Sequence, residues 1–243
     1  MHIIKVDAID STNIFLRNLN REKKLKEAVC VSAFEQLAGK GQMGTVWQSK
    51  PGENLTCSVF MPIEGIEMKD QFYISIAASL SICDTLKDIM ITKLSIKWPN
   101  DILSDRSKLC GVLIENVVKN GRLEGAIIGI GLNVNQLEFD NLPLAGSIKQ
   151  ILGANFNLDE ILHTLLFHLE KRFYDLNSTN FGKMKQEYET LLFRKNKPST
   201  FEDVEGVSFV GIIQGTTPEG KLQVLLEDEI TTDFDLKEIK LLY

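Results

Sequence analysis

Clustered and alternating apolar residues divide the first 195 positions into strands and helices of ordinary length. Residues 2–6, 28–34 and 54–61 read as strands, and 94–98, 101–104, 110–118 and 122–133 continue the series. Asp10-Ser11-Thr12-Asn13 supplies several cap residues at the head of a helix, and residues 70–89 make a second one. Asn120-Gly121 stands between two apolar runs, a hairpin signal because both residues tolerate positive φ. A hairpin there favours a largely antiparallel sheet over a βαβ winding.

Two further helical stretches follow, at 159–176 and 181–193. In the first, Ile161, Leu162, Leu165, Leu166, Leu169 and Phe173 recur at helical spacing, with Asp159 at the N-cap position. After Lys197-Pro198 the pattern changes to short apolar runs at 207–213 and 222–226, around the turn Thr217-Pro218-Glu219-Gly220. Such runs predict a small β-barrel module from 198 to 243, behind a larger domain of residues 1–197. The expected class is α/β of the α+β type: a mixed, largely antiparallel sheet flanked by helices, with the small β module at its end.

Composition narrows the function classes. The chain has 243 residues, 44% hydrophobic and 25% charged, enough to bury a sizeable core. No run approaches the ~20 apolar residues of a membrane span, and the start lacks the apolar stretch of a secretory signal. Cys30, Cys57, Cys83 and Cys110 are widely spaced, which fits reduced thiols in a cytoplasmic protein. The net charge of -6 is uneven. Residues 201–243 hold ten acids against three lysines, and the rest hold 24 bases against 23 acids. A strongly basic nucleic-acid binder is excluded. The acidic module is not expected to attract phosphates, which leaves it a role in docking or in supporting a closed site.

Candidate chemistry begins with Gly39-Lys40-Gly41-Gln42-Met43-Gly44, formally G-x-G-x-x-G. A dinucleotide-binding turn needs a helix at the third glycine, whereas Thr45-Val46-Trp47-Gln48 is β-forming. The kinase pattern fails for want of its catalytic and metal-binding strings. What remains is a glycine loop with a lysine, able to wrap an anionic ligand. Lys97-Trp98-Pro99-Asn100-Asp101 ends a strand and presents an amide beside a carboxylate. Asp101 suits proton or metal chemistry, or a turn in which Asn100 and Asp101 cap the backbone. Lys108 opens the apolar run 109–114 and equally suits a solvated strand edge. Residues 129–135 end a buried-looking strand with two glycines and two amides. His2, His163 and His168 have no ligand or triad spacing.

Together and in this order, these strings resemble the biotin–protein ligases. The resemblance covers Asp10 to Asn13, Glu35-Gln36 through Trp47, Gly52 to Leu55, Lys97 to Asp101, Lys108 to Gly111 with Glu115, and Gly129 to Asn133. It implies a mixed-sheet catalytic domain followed by an SH3-like barrel. It also implies a two-step reaction, in which biotin and ATP give biotinyl-5′-AMP and a carrier-protein lysine then takes the biotin. Ser11, Thr12, Asn13, Gln36, Gly39, Lys40, Gly41, Gln42, Lys108 and Gly111 match the biotin side. Lys40, Trp47, Asn100, Asp101, Lys108 and Asn133 match the ATP side, and the catalytic positions are Lys108, Asp101 and Lys40. Mg²⁺ is expected to arrive with ATP, without a protein cage.

The implied partner is the biotin carboxyl carrier domain of a biotin-dependent carboxylase, the enzyme acting as monomer or homodimer without nucleic acid or membrane. Two departures qualify the match. Lys40, Gln42 and Met43 stand where the family commonly has arginines, so looser retention of the adenylate is expected. No room exists before Asp10 for the helix-turn-helix that some members carry, so DNA-binding regulation is not expected. The alternatives are a lipoate or other acyl–protein ligase of the same fold, and a non-catalytic biotin-binding sensor.

Overall fold

The computed structural model describes residues 1–243, apart from the side chain of Met43. Seven strands make one sheet: β1 (His2–Ile9), β2 (Val29–Gln36), β3 (Leu55–Pro62), β4 (Leu94–Lys97), β5 (Asp101–Ser104), β6 (Ser107–Lys119) and β7 (Arg122–Leu132). Their order is β1-β2-β3-β7-β6-β5-β4. Only β1 and β2 run parallel; every other neighbouring pair is antiparallel. The Asn120-Gly121 turn joins β6 to β7 with φ of 51° and 74°, as its residue types predict.

Helices cover the two faces unequally. On one face α2 (Phe72–Asp88) and α4 (Leu158–Tyr174) pack over Cys30, Cys57 and Val59, and α5 (Phe181–Thr190) packs on α2. The α2 helix is buried on nearly all sides, so its sequence is apolar with little amphipathic contrast. On the other face α1 (Thr12–Lys23) buries Leu16 against Val29, Val31, Phe60 and Ile127. The remainder of that face is left without a helix.

Several elements differ from the sequence reading. The N-cap of α4 is Asn157, whose Oδ1 accepts from the Asp159 amide at 2.9 Å, so Asp159 stands in the first turn and favours the helix dipole from there. A short helix, α3 (Ile148–Leu152), begins with a capping box between Ser147 and Gln150. The α5 helix ends at Thr190, three residues earlier than expected. All four cysteines are buried free thiols. Among the described residues no helix is long and apolar enough to cross a membrane.

From Pro198 the chain builds a second sheet: β8 (Pro198–Asp203), β9 (Ser208–Thr216), β10 (Leu222–Leu226), β11 (Thr231–Phe234) and β12 (Ile239–Leu242). It is antiparallel throughout, in the order β11-β10-β9-β8-β12. Phe201, Ile213, Leu222 and Val224 form its interior, and Phe209 stacks between Phe201 and Phe234. Several hydrogen bonds tie this sheet to the first unit. Trp98 Nε1 donates to Gly220 O at 2.9 Å, and Thr216 N donates to Glu189 Oε1 at 3.0 Å.

Arg172 joins the three helices of the covered face. Its Nε donates to Asp84 on α2 at 2.8 Å, and its two Nη groups donate to Glu187 on α5 at 2.7 and 2.6 Å. Chiefly because Arg172 donates to it, the Glu187 carboxyl is held below the usual carboxylate range. The folded protein therefore binds that proton less tightly than the unfolded chain. The resulting stability is complete above the unfolded carboxyl pKa of ~4.3 and is lost as pH falls through the folded value. Thermal denaturation of Glu187→Gln should show a Tm deficit at pH 7 that shrinks toward pH 3; a deficit independent of pH would contradict this.

Candidate active site

Three rows of residues cross the sheet face that α1 partly covers. The first, Val29, Phe60 and Ile127, is apolar and lies under the helix. The next is Val31, Ser58, Gly129 and Leu113, and the third is Ala33, Thr56, Gly131 and Gly111. Large apolar residues thus give way to small or hydroxylated ones where α1 begins. Over that stretch opens a cavity of about 790 Å³.

One end of the cavity is neutral and rich in hydrogen bonds. Thr12 donates from both N and Oγ1 to Gln36 Oε1, at 2.9 and 3.0 Å. Its Oγ1 also lies 2.6 Å from Ser58 Oγ, and Ser58 donates to Asn13 Oδ1 at 2.5 Å. Ser11, Thr12, Asn13 and Ser58 are all buried. Leaving such groups unpaired costs ~1–3 kcal/mol each, so the network orients its own members. Gly129 is required beneath it, since a Cβ there would lie 2.3 Å from Asn13 Oδ1.

The glycine loop is a hairpin rather than a helix entry. Trp47 N donates to Gly39 O at 2.9 Å, and Gly41 N donates to Thr45 O at 2.8 Å. A single 3-10 turn, Gln42–Gly44, closes it, with Gly44 at a φ of 81°. Lys40, Gly41 and Gln42 reach the cavity wall. Gly39 does not belong to that wall; a Cβ there would lie 2.6 Å from Trp47 O, so it serves the hairpin. Met43, the other departure in the loop, has its side chain outside the described residues. The Trp47 ring lies on the backbone of two facing glycines. A Cβ at Gly131 would meet its Cε2 at 2.3 Å, and one at Gly111 its Cζ3 at 3.1 Å.

The other end is cationic. Lys108 Nζ pairs with Asp101 Oδ1 at 2.7 Å and stands 5.8 Å from the Trp47 ring centroid. Asn100 takes the capping role: its O accepts from Val112 N at 3.1 Å, and its Nδ2 donates to Val112 O. Asn133 Nδ2 donates to Gly146 O at 2.9 Å and to Lys108 O at 3.3 Å, which holds the backbone at Lys108. Asn133 Oδ1 and Trp47 Nε1 are buried with no partner, and both residues line the cavity. Both therefore keep hydrogen-bonding capacity that the protein's own groups leave unused.

Every other sequence-assigned residue also lies on the wall: Ser11, Thr12, Asn13, Gln36, Lys40, Gly41, Gln42, Trp47, Asn100, Asp101, Lys108, Gly111 and Asn133. The sequence reading missed Phe139, residues 142–145 and Lys97 as wall residues, and Ser58 as the buried partner of Thr12 and Asn13. It named no site residue in the C-terminal module, whereas Lys240 and Tyr243 line the cavity. The wall therefore carries four lysines (Lys40, Lys97, Lys108, Lys240) against one described side-chain carboxylate, Asp101. The acidity of the C-terminal module lies elsewhere on its surface.

A methyl group at position 131 should lift the Trp47 ring off its floor. Gly131→Ala is expected to fold, to shift indole emission to the red and to make one of the two tryptophans quenchable by iodide. Emission and quenching like those of the wild type would contradict the packing described.

Comparison with known proteins follows the same residues. The model of the biotin/lipoate A/B protein ligase family matches residues 6–133. The bifunctional ligase/repressor BirA of Bacillus spizizenii is 29% identical over 233 residues, covering 94% of this chain and 70% of that protein. The biotin–acetyl-CoA-carboxylase ligase of Mycobacterium tuberculosis is 26% identical over 199 residues, covering 81% and 73%. The structure of biotin protein ligase from Aquifex aeolicus in complex with biotin and ATP shares the fold, with a TM-score of 0.80 at 22% identity over 99% of this chain and 98% of that one. The family match spans more than half of the chain and includes both orphaned groups and the Lys108–Asp101 pair: the protein belongs to the biotin/lipoate A/B protein ligase family.

Proposed function

We propose that the protein is a biotin–protein ligase that makes biotinyl-5′-AMP from biotin and ATP and passes the biotin to a lysine of a biotin carboxyl carrier domain. One observation carries this reading: a single cavity joins a neutral hydroxyl and amide end to a lysine-lined end. Biotin has the matching division, a ureido ring at one end and a carboxylate at the other. Thr12, Asn13 and Gln36 supply the oxygen and amide partners that a ureido carbonyl and its two N–H groups require, and buried Ser58 holds Thr12 and Asn13 in place. The dithiolane of lipoate has none of these groups and would leave the same partners unmatched.

In the first step the biotin carboxylate oxygen attacks the α-phosphorus of ATP. A carboxyl O–P bond forms, the bond from α-phosphorus to the bridging oxygen breaks, and pyrophosphate leaves with the electron pair. Two anions must meet, so positive charge and excluded water govern the rate. Lys108 is placed to bridge carboxylate and α-phosphate oxygens, and Lys40 arrives from the hairpin. Trp47 shields the reacting atoms, while its Nε1 and Asn133 Oδ1 remain to bind the ligands. Asp101 is the wall carboxylate that would face a Mg²⁺ ion carried by ATP, and the ion would supply charge neutralisation at the phosphates.

In the second step the acceptor amine attacks the carbonyl carbon, a C–N bond forms, the C–O bond breaks and AMP leaves. A free lysine with a pKa of ~10.4 is protonated by roughly three decades at neutral pH, so the amine must give up a proton. Asp101 orients that amine and receives the proton, which requires its bond to Lys108 to open in the loaded enzyme.

Biotin-dependent ATP–pyrophosphate exchange tests the reading. Lys108→Ala should lose ~10²–10³-fold in exchange while its melting temperature stays near that of the wild type. Full exchange in that variant would remove Lys108 from the chemistry. Wild-type exchange that depends on lipoate and not on biotin would overturn the substrate assignment.

A further inference from the structure

The string Gly52 to Leu55 has no task in the chemistry above, yet its Asn54 is buried to 3% exposure. Asn54 Oδ1 accepts from Val134 N at 3.0 Å, and its Nδ2 donates to Gln136 Oε1 at 2.5 Å. The same Gln136 oxygen accepts from Lys50 N at 3.0 Å, while Gln136 Nε2 donates to Glu138 O at 2.6 Å. Gln136 is itself buried, at 6% exposure, and does not line the cavity. One amide side chain thus joins two separate stretches of backbone.

Those stretches are the roots of two walls of the cavity. Lys50 follows closely on Trp47, where the glycine hairpin returns to the body of the protein. Glu138 opens the segment that lines the cavity with Phe139 and residues 142–145, and Gln150 Nε2 donates to the neighbouring Leu137 O at 2.6 Å. The far end of that segment is bound to Lys108. Lys108 N donates to Leu144 O at 2.7 Å, and Gly146 N donates to Lys108 O at 3.0 Å. Neither wall belongs to the seven-stranded sheet, so no ladder of that sheet fixes its position and its backbone groups need individual partners. The ion pair from Lys50 Nζ to Glu138 Oε2, at 3.2 Å, also links the roots, but it is solvated and contributes little.

We propose that Gln136 is a positioning residue: it fixes the exit of the hairpin that carries Lys40 to the root of the segment whose end holds Lys108. The two lysines then keep their spacing across the cavity, and a shift of one wall is passed to the other. The proposal rests on the ligase reading for what occupies the cavity, whereas the shared root is a matter of hydrogen bonds alone. An amide suits the place because its oxygen takes two donors while its nitrogen reaches a carbonyl; a carboxylate has the acceptor without the donor.

Hydrogen–deuterium exchange of the full chain, read in peptides covering residues 39–47 and 138–145, tests this. Gln136→Met, similar in length but without either group, should exchange about fivefold faster in both peptides, the scale of one hydrogen bond. Gln136→Glu keeps the acceptor and loses the donor, so only 138–145 should speed up. Lys50→Ala keeps its backbone N–H and should change neither peptide. Biotin should slow both peptides of the wild type but only 39–47 of Gln136→Met, a loss of transmission that lower stability alone would not produce. In that variant kcat for biotin-dependent ATP–pyrophosphate exchange should fall about tenfold through misplacement of the lysines. An unchanged kcat would overturn the proposal. So would biotin slowing 39–47 and not 138–145 in the wild type, or slowing both equally in Gln136→Met. Should Gln136→Met fail to fold, Gln136→Glu carries the test, and equal changes in its two peptides would refute the assignment. If biotin slows neither peptide of the wild type, the ligase reading fails by itself. The ligand-free rates of Gln136→Met then decide: faster exchange in both peptides upholds the shared root, and an unchanged rate in either refutes it.

Discussion

The site depends on a patch of sheet that has no side chains. Gly111, Gly129 and Gly131 stand on one face of β6 and β7, and Asn13 and Trp47 descend onto their backbone. A Cβ at Gly129 or Gly131 would sit 2.3 Å from those two side chains, well inside any real contact. Cavity volume, the tilt of the hairpin and the seat of Asn13 thus follow from one local absence of bulk. The ordinary use of glycine is conformational freedom, but here the requirement is space. Interiors are close-packed and bistable more readily than they are compressible, so a methyl group there moves a whole element rather than a few atoms.

Polarity is arranged around that patch in two halves. Under α1 the face is apolar and closes a small core; one pleat onward it becomes Ser58 and Thr56, and the helix presents Ser11, Thr12 and Asn13 at its start. Along the same cavity, strand ends, the hairpin and the second sheet contribute lysines. A chain of net charge -6 in this way has a cationic site, because its acids are spent on other surfaces. Lys108 and Asp101 form an ion pair on the wall, and in the proposed reaction an anionic ligand would compete for the lysine. Charge held this way need not be assembled during the reaction, which is what makes it effective in transition-state stabilisation.

What the sequence disclosed was local chemistry; what it withheld was assembly. Asn120-Gly121, the apolar periodicity of α4 and the switch at Pro198 are readable because neighbouring residues produce them. Glycine spacing in the loop was readable as well, together with the β-forming residues that rule out a helix after it. Asp159 was mistaken for the N-cap because Asp and Asn both suit that position, and only backbone geometry separates them. The α3 helix is too short for periodicity to register, although Ser147 and Gln150 formed a capping-box pattern that could have revealed it. Ser58 lay in a strand buried along nearly its whole length, where a hydroxyl next to Cys57 gave one faint signal. Lys240 and Tyr243 had no local signal, since what brings them to the cavity is the docking of one sheet on another.

The central claim is that one ligand spans both halves of the cavity in a fixed direction. A crystal structure with biotin and a non-hydrolysable ATP analogue measures that most directly. The ureido ring is predicted on Thr12, Asn13 and Gln36, the carboxylate at Lys108, and the nucleotide beyond it in the same cavity. A ureido ring at the lysine end, or a nucleotide bound outside this cavity, would contradict it.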